Sequence, residues 1–386
     1  MFFLADAYFH TLSPFAVKFP ASWPVAGIRW YGLAYAVGFL LAWGIVRWVA
    51  KRGWSPIPAE RIGDLMFAVF AGVLVGGRLG YALFYERHLF YTFSNSMPYW
   101  DLLAINKGGM ASHGGMIGVL LGCWWFGRKY HVSTMHILDV GSLAATPGLF
   151  FGRIANFINA ELWGKPLPEA MQSNPPSWSV KYPMQIIEHW LAVLQQGRQS
   201  NAEYADLISK VADDFHIHAS QSELPALVAG AAQQKLDIVQ QQLGPVVGVD
   251  NLFFERIVDL ARDSHAPLHQ QVVQTLKPLL TAYYPSQIFQ AITDGPILLG
   301  LLILIWLRPR KPGVIGGWFL IIYGVLRIIT ELFRQPDKGI GLTFGLISRG
   351  QTLSLLMVLA GVVCLAICVK RDVPRLGGLF RKGPMG

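Results

Sequence analysis

The chain has 386 residues, 53% of them hydrophobic and only 14% charged, whereas soluble domains are roughly one-quarter charged. With a mean hydropathy of +0.39, that balance excludes an ordinary soluble domain and makes the bilayer the expected solvent. The formal net charge of +9 suggests nucleic acid, but most of the excess Lys and Arg lies at the ends of apolar stretches. There it fits the positive-inside bias and anionic headgroups instead, so no nucleic-acid partner is expected.

A span needs about 20 mostly apolar residues. In chain order, stretches at roughly 28–50, 63–85, 108–127, 133–158, 286–307, 313–334 and 350–370 qualify. They predict an all-α polytopic membrane protein with about seven transmembrane helices. The first 25 residues lack a basic region, a compact apolar run and a small-residue cleavage site, so no removable signal peptide is expected.

Lys51 and Arg52 follow the first stretch, Arg128 and Lys129 the third, and Arg308, Arg310 and Lys311 the fifth, while the tail holds Lys370, Arg371, Arg375, Arg381 and Lys382. Basic residues in short loops resist translocation, so these ends are expected in the cytoplasm, giving an N-out, C-in topology. Cys123, Cys364 and Cys368 all lie in apolar segments and read as small buried hydrophobes.

Three regions follow: residues 1–164 with four spans, 165–283 as a soluble outward-facing insertion, and 284–386 with three spans and a basic tail. The insertion is polar, rich in Gln and Ala, and broken by Pro175, Pro176, Gly244 and Pro245. Between 191 and 283 it holds ten acidic against six basic residues. Apolar spacings of three and four in Asn251 to Ser264 predict an amphipathic helix, one of several short helices expected there. His216 and His218 stand beside Asp213 and Asp214 without the companion spacing of a zinc site, and no metal is expected.

Ionisable groups inside spans are costly and mark function by default. The third span carries His113, the fourth ends in Arg153, Asn156 and Glu161, and the sixth ends in Tyr323, Arg327, Glu331 and Arg334. The last four fall at i, i+4, i+8 and i+11, on one helix face. A guanidinium fork suits phosphate because it engages two oxygens at once and stays charged when desolvated. Arg327 held by Glu331, with Arg153 as a second donor group, therefore suggests a lipid-phosphate site. His113 is flanked by Gly114 and Gly115, with Gly118 and Gly122 beyond, small residues that let another backbone approach and would surround the imidazole closely. Such a histidine suits proton transfer at neutral pH, or a hydrogen bond between helices.

The motif GRIANFINAELWG (Gly152 to Gly164) resembles the signature of the bacterial prolipoprotein diacylglyceryl transferase family through Arg153, Asn156, Phe157, Asn159, Glu161 and Gly164. WYGLAYAVGF, GGRLGYALFY, SHGGMIG, YPSQIFQ and YGVLRIITELFRQPD stand around it in the family's order. The resemblance covers roughly residues 20–165 and 284–370. It implies transfer of the diacylglyceryl group of phosphatidylglycerol to the lipobox cysteine of a prolipoprotein signal peptide, by side chains alone, without metal or redox cofactor, in the bacterial inner membrane. The enzyme is expected to be membrane-embedded and monomeric.

By the same resemblance, Arg153 and Arg327 hold phosphate, while Tyr31, Asn156 and Glu161 orient the donor. Gly164 also matches a position on which the family depends. Tyr323 and Arg334 join the donor site by their place on the sixth span's polar face. His113 deprotonates the thiol, or Arg327 with Glu331 does that proton work. Ala160 replaces a usual glycine, Tyr284 a usual histidine, and Phe289 with Gln290 a common Tyr-Glu. The rival readings are a transporter, whose expected internal repeat is missing, and a non-catalytic lipid-binding protein, for which the arginines would be enough.

Overall fold

A computed structural model of the protein describes residues 6–20, 22–23, 27–95, 97–105, 108–185, 258–264, 266, 269–335 and 348–380. Seven long helical segments stand where hydropathy predicts spans, with ends shifted by no more than four residues. They are α1 (Trp30–Lys51), α2 (Ile62–Phe84), α3 (Ser112–Lys129) and α4 (Thr134–Ile158), then α6 (Ser286–Ile292) running on into α7 (Leu298–Trp306), α8 (Val314–Glu331) and α9 (Arg349–Lys370). A short helix, α5 (His269–Leu276), precedes the fifth of these. Five segments, Trp30–Lys51, Ala59–Phe84, Ser286–Trp306, Val314–Glu331 and Gly350–Lys370, are long and apolar enough to cross a bilayer. The chain is a predominantly helical, polytopic membrane protein. The two helices below that threshold, α3 and α4, are those that carry His113 and a run of glycines, or Asp139 and Arg153.

The chain folds as two compact units. One draws on residues 34–153, 290–331 and 338–386 and holds most of the long helices. Within it α2 and α3 meet along glycines: a Cβ on Gly72 would lie 2.3 Å from the Gly118 carbonyl oxygen, and one on Gly76 2.3 Å from that of Gly114. Without a hydrophobic force between helices in lipid, such backbone contact is what holds them. Gly317 and Gly361 do the same for α8 and α9. The start of α8 is fixed by buried Asp139, whose carboxylate accepts from the Gly313 and Gly316 amides at 2.7 Å each, satisfying donors a helix start leaves open. The start of α9 is a capping box: Gln351 N donates to Ser348 Oγ, and Ser348 N to Gln351 Oε1. Cys123 and Cys368 are buried in this unit.

The other unit draws on residues 1–33, 154–289 and 332–337. It contains a small sheet in which β1 (Tyr8–Phe9) runs parallel to β4 (Val180–Lys181), itself antiparallel to β5 (Ala282–Tyr283). A hairpin of β2 (Phe15–Lys18) and β3 (Gly27–Arg29) leads into α1. Its cores are aromatic and aliphatic, with Ala160, Trp163, Val180, Tyr182 and Tyr283 in one cluster and Ala7, Leu167 and Ala282 in another. The all-α expectation omitted β1, β4 and β5, because two-residue strands paired over more than a hundred positions leave no periodic trace. Of the amphipathic segment at Asn251 to Ser264, residues 258–262 are helical, with Val258, Leu260 and Ala261 buried. Residues 251–257 of that segment, His216, His218 and the rest of the predicted insertion between 186 and 250 lie outside the described residues.

Candidate functional site

The first polar cluster is built where α4 ends. Asn156, 6% exposed, accepts a hydrogen bond from the Tyr31 hydroxyl, which also reaches Glu161 Oε2 at 3.3 Å. Beyond Ile158 the chain tightens: the Ala160 amide donates to the Phe157 carbonyl at 3.0 Å and the Glu161 amide to that of Asn156 at 2.9 Å. Ala160 and Leu162 both take φ near +54°, a left-handed conformation that bears on the glycine usual at position 160. The turn is buttressed from α6. Gln287 Nε2 donates to the Glu161 carbonyl at 2.6 Å, and Ser286 Oγ to that of Leu162 at 3.1 Å.

Gly164 then forms an isolated bridge with Arg334, flanked by Lys165 N to Phe333 O at 2.8 Å and Gln335 N to Trp163 O at 3.2 Å. Arg334 was expected on the face of Tyr323, Arg327 and Glu331, but α8 ends at Glu331 and the backbone of 333–335 turns to pair with 163–165. The unusual aromatics have partners there. The Tyr284 ring stacks on Trp178 and meets Phe333 edge-on at 5.3 Å, and Phe289 meets Phe333 at 5.5 Å.

A buried histidine that the sequence reading passed over supports this turn. His10, fully buried, lies 2.7 Å through Nε2 from the Phe157 carbonyl and edge-on to the Phe157 ring. Burial pushes its pKa down to about 4, against the opposing effect of that carbonyl.

A second cluster lies among α4, α8 and the turn between α6 and α7. Arg153 Nε donates to Asp294 Oδ2 at 3.2 Å, with side-chain exposures of 15% and 0%. Tyr323 stands beside Arg153, and Arg327 is close enough to Asp294 to interact electrostatically. Arg327 pairs with Glu331 across one turn of α8 at 3.6 Å, as its i, i+4 spacing predicts. Glu331 Oε1 also accepts from Ser348 Oγ at 3.2 Å, and a Cβ on Gly350 would lie 2.8 Å from that oxygen. Two cations and two carboxylates are thus gathered with a tyrosine inside apolar helices. Sequence reasoning missed Asp294 and Ser348. An acidic residue inside a predicted span was the available clue for Asp294.

His113 stands in the first turn of α3. The glycine contact forms as expected and buries Gly114, Gly115 and Gly118, yet His113 itself is exposed. The close surroundings expected for it are not found, because the glycines face α2 and residue 113 is on another face of the helix. Nearby, Arg78 is 6% exposed and fastens the approach to α3 by donating to the carbonyls of Asp101, Leu102, Gly108 and Gly109 at 2.6–3.0 Å. Among the described residues no group of three His, Cys, Asp or Glu side chains is arranged to hold a metal ion.

Residues 20–367 match a family model described as prolipoprotein diacylglyceryl transferase. A phosphatidylglycerol–prolipoprotein diacylglyceryl transferase of Bdellovibrio bacteriovorus is 36% identical over 374 residues, covering 96% of this chain and 97% of its own. Proteins of the same name are 32% identical in Sodalis glossinidius, over 89% of this chain and 90% of theirs, and 30% identical in Stenotrophomonas maltophilia, over 95% of both.

Proposed function

The chain belongs to the prolipoprotein diacylglyceryl transferase family, and on that premise we propose that it carries out the first step of lipoprotein maturation in the bacterial inner membrane. It is a transferase: the lipobox cysteine sulfur forms a thioether to the glyceryl carbon of phosphatidylglycerol, and the carbon–oxygen bond to phosphate breaks. Glycerol phosphate leaves, and the thiol proton passes to a base. The observation that carries this reading is the pair of guanidiniums of Arg153 on α4 and Arg327 on α8, 15% and 14% exposed and each beside a carboxylate.

The leaving group is a phosphate ester whose charge rises as the bond breaks, so prearranged cationic donors lower the barrier. Arg153 and Arg327 supply them, with Tyr323 and Arg334 contributing to the donor site. Tyr31, Asn156 and Glu161 form a hydrogen-bonded set that orients the glyceryl and headgroup hydroxyls, on the turn that Gly164 holds close. A free thiol with a pKa near 8.5 needs help to become the nucleophile; His113 takes its proton, or Glu331 held by Arg327 does. The N-out, C-in orientation puts the ends of α4 and α8 that carry these groups at the outward side, where the donor enters laterally from the bilayer. The working unit is a monomer.

Purified protein in detergent, given phosphatidylglycerol and a peptide with a lipobox cysteine, should add one diacylglyceryl mass to the peptide. No gain with phosphatidylglycerol or other phospholipids would refute the activity. Arg153→Ala and Arg327→Ala should each abolish the gain.

A further inference from the structure

Asp294 is completely buried in a helix long and apolar enough to cross a membrane, where a carboxylate without a partner is costly. Its surroundings are specialised. Residues Thr293–Ile297 form a π-helical turn containing Pro296, and the Leu298 amide reaches back to the Thr293 carbonyl. A proline inside a helix lacks a donor and clashes with the preceding turn; the wider turn absorbs that conflict and rotates the residues before it, a device frequent at functional sites. Gly295, next in sequence, brings this turn against α4: a Cβ there would be 2.7 Å from the Cβ of Phe150, one helical turn from Arg153.

The contact with Arg153 is selective. Asp294 Oδ2 takes Nε at 3.2 Å, so the carboxylate occupies the inner edge of the guanidinium, and the terminal nitrogens are left to the neighbouring Tyr323 hydroxyl and to other acceptors. Asp294 also interacts with Arg327, and a single anion between two guanidiniums removes the repulsion that would drive them apart in a medium of low dielectric. From this geometry we propose that Asp294 is a positioning residue: it holds Arg153 by Nε so that the terminal nitrogens face the phosphate of the phosphatidylglycerol donor. This rests on the function proposed above. Asp294 itself touches neither the glyceryl carbon nor the thiol.

The test uses the full-length enzyme in detergent micelles, with phosphatidylglycerol and a lipobox peptide varied separately. Asp294→Asn, which keeps the shape and removes the charge, should raise KM for phosphatidylglycerol at least tenfold and leave KM for the peptide within twofold. In an Arg153→Lys background, which already lacks the Nε contact, the same substitution should add less than a further twofold. An unchanged lipid KM, equal rises in both KM values, or losses that multiply across the two backgrounds would overturn the proposal. Should Asp294→Asn not fold, Gly295→Ala carries the test. Pushing the turn off α4 should raise the lipid KM alone, and a wild-type lipid KM in that variant would refute the role. Absence of transfer by the wild-type protein would instead refute the functional reading beneath it.

Discussion

The α-carbon of Gly164 packs on the carbonyl of Tyr284 so closely that a Cβ at position 164 would lie 2.1 Å from the carbonyl oxygen. Backbone cannot yield as a flexible side chain does. Gly164→Ala should therefore force the 163–165 segment away from Tyr284, whose amide donates to the Lys165 carbonyl at 3.0 Å. The expected result is a destabilisation of about 2 kcal/mol or more, as for other overpacked sites, with loss of most transfer activity. Thermal unfolding and peptide mass gain measured on the same preparation check it.

Ala160 sets up a narrower contest. Its φ of +54° disfavours any side chain by about 1–2 kcal/mol, so glycine relieves strain there. Removing a buried methyl costs about 0.8 kcal/mol, and glycine's extra freedom in the unfolded chain costs about 0.5–1 kcal/mol. These nearly cancel, and Ala160→Gly should leave stability within about 1 kcal/mol of wild type. Ala160→Val should destabilise well beyond that, since branched residues at positive φ are true outliers. Valine tolerated as well as glycine in thermal melts would contradict the left-handed turn.

Much of this was legible in the sequence. Hydropathy gave the seven long helical segments to within four residues, and the i, i+4 spacing of Arg327 and Glu331 gave their ion pair, because both are properties of a single helix. What escaped depends on the ends of helices and on distant pairings. Arg334 was assigned to the face of α8, but that helix stops at Glu331 and nothing nearby announces the stop before Pro336. Asp294 lies inside the predicted span 286–307, but its pairing with Arg153 on a distant helix, from a π-turn at Thr293–Ile297, leaves no local trace. The glycines around His113 correctly forecast close helix contact, yet the contact lies on the side of α3 away from the imidazole.

The Tyr31 hydroxyl lies within hydrogen-bond reach of both Asn156 and Glu161, and its single proton serves one acceptor at a time. Tyr31→Phe removes the donor and keeps the ring, leaving an acceptor on buried Asn156 without its hydroxyl partner. A hydrogen bond to a charged or buried group contributes about 1.5–3 kcal/mol, so the rate should fall about 10- to 100-fold. The Tyr31→Phe and Asn156→Ala losses should be strongly non-additive when combined. Independent, multiplying losses in a double-mutant cycle would show that the two residues do not act as a set.

His10 makes stability depend on pH. Its folded pKa of about 4 lies below the ordinary 6.5, so between those values the unfolded chain binds a proton that the folded chain does not. The stabilisation is complete above pH 6.5 and is lost as pH falls toward 4, with a slope of about 1.4 kcal/mol per unit at most. Melting of the detergent-solubilised protein should drop across that window. His10→Phe should flatten the curve there while lowering the plateau, because the bond to the Phe157 carbonyl is gone. A wild-type melting temperature that is constant from pH 7 to 4.5 would refute the burial.

The choice between His113 and Glu331 as the thiol's base can be made from how each is held. Glu331 is fixed by Arg327 at 3.6 Å, by Ser348 Oγ at 3.2 Å and by the close approach of Gly350, whereas His113 is exposed on its helix. If the fixed carboxylate takes the proton, Ser348→Ala should slow transfer by about 5- to 15-fold, the effect of losing one hydrogen bond to it. Ser348→Thr should restore the rate, and Gly350→Ala should cost more. If His113 takes the proton, His113→Asn should be slow at pH 6.5 and recover toward pH 9, where a thiol with a pKa near 8.5 ionises unaided. Pinning favours Glu331, since a general base must lie within hydrogen-bond reach of the proton it removes. A Ser348→Ala enzyme at full rate, alongside a His113→Asn enzyme rescued by alkali, would reverse that assignment.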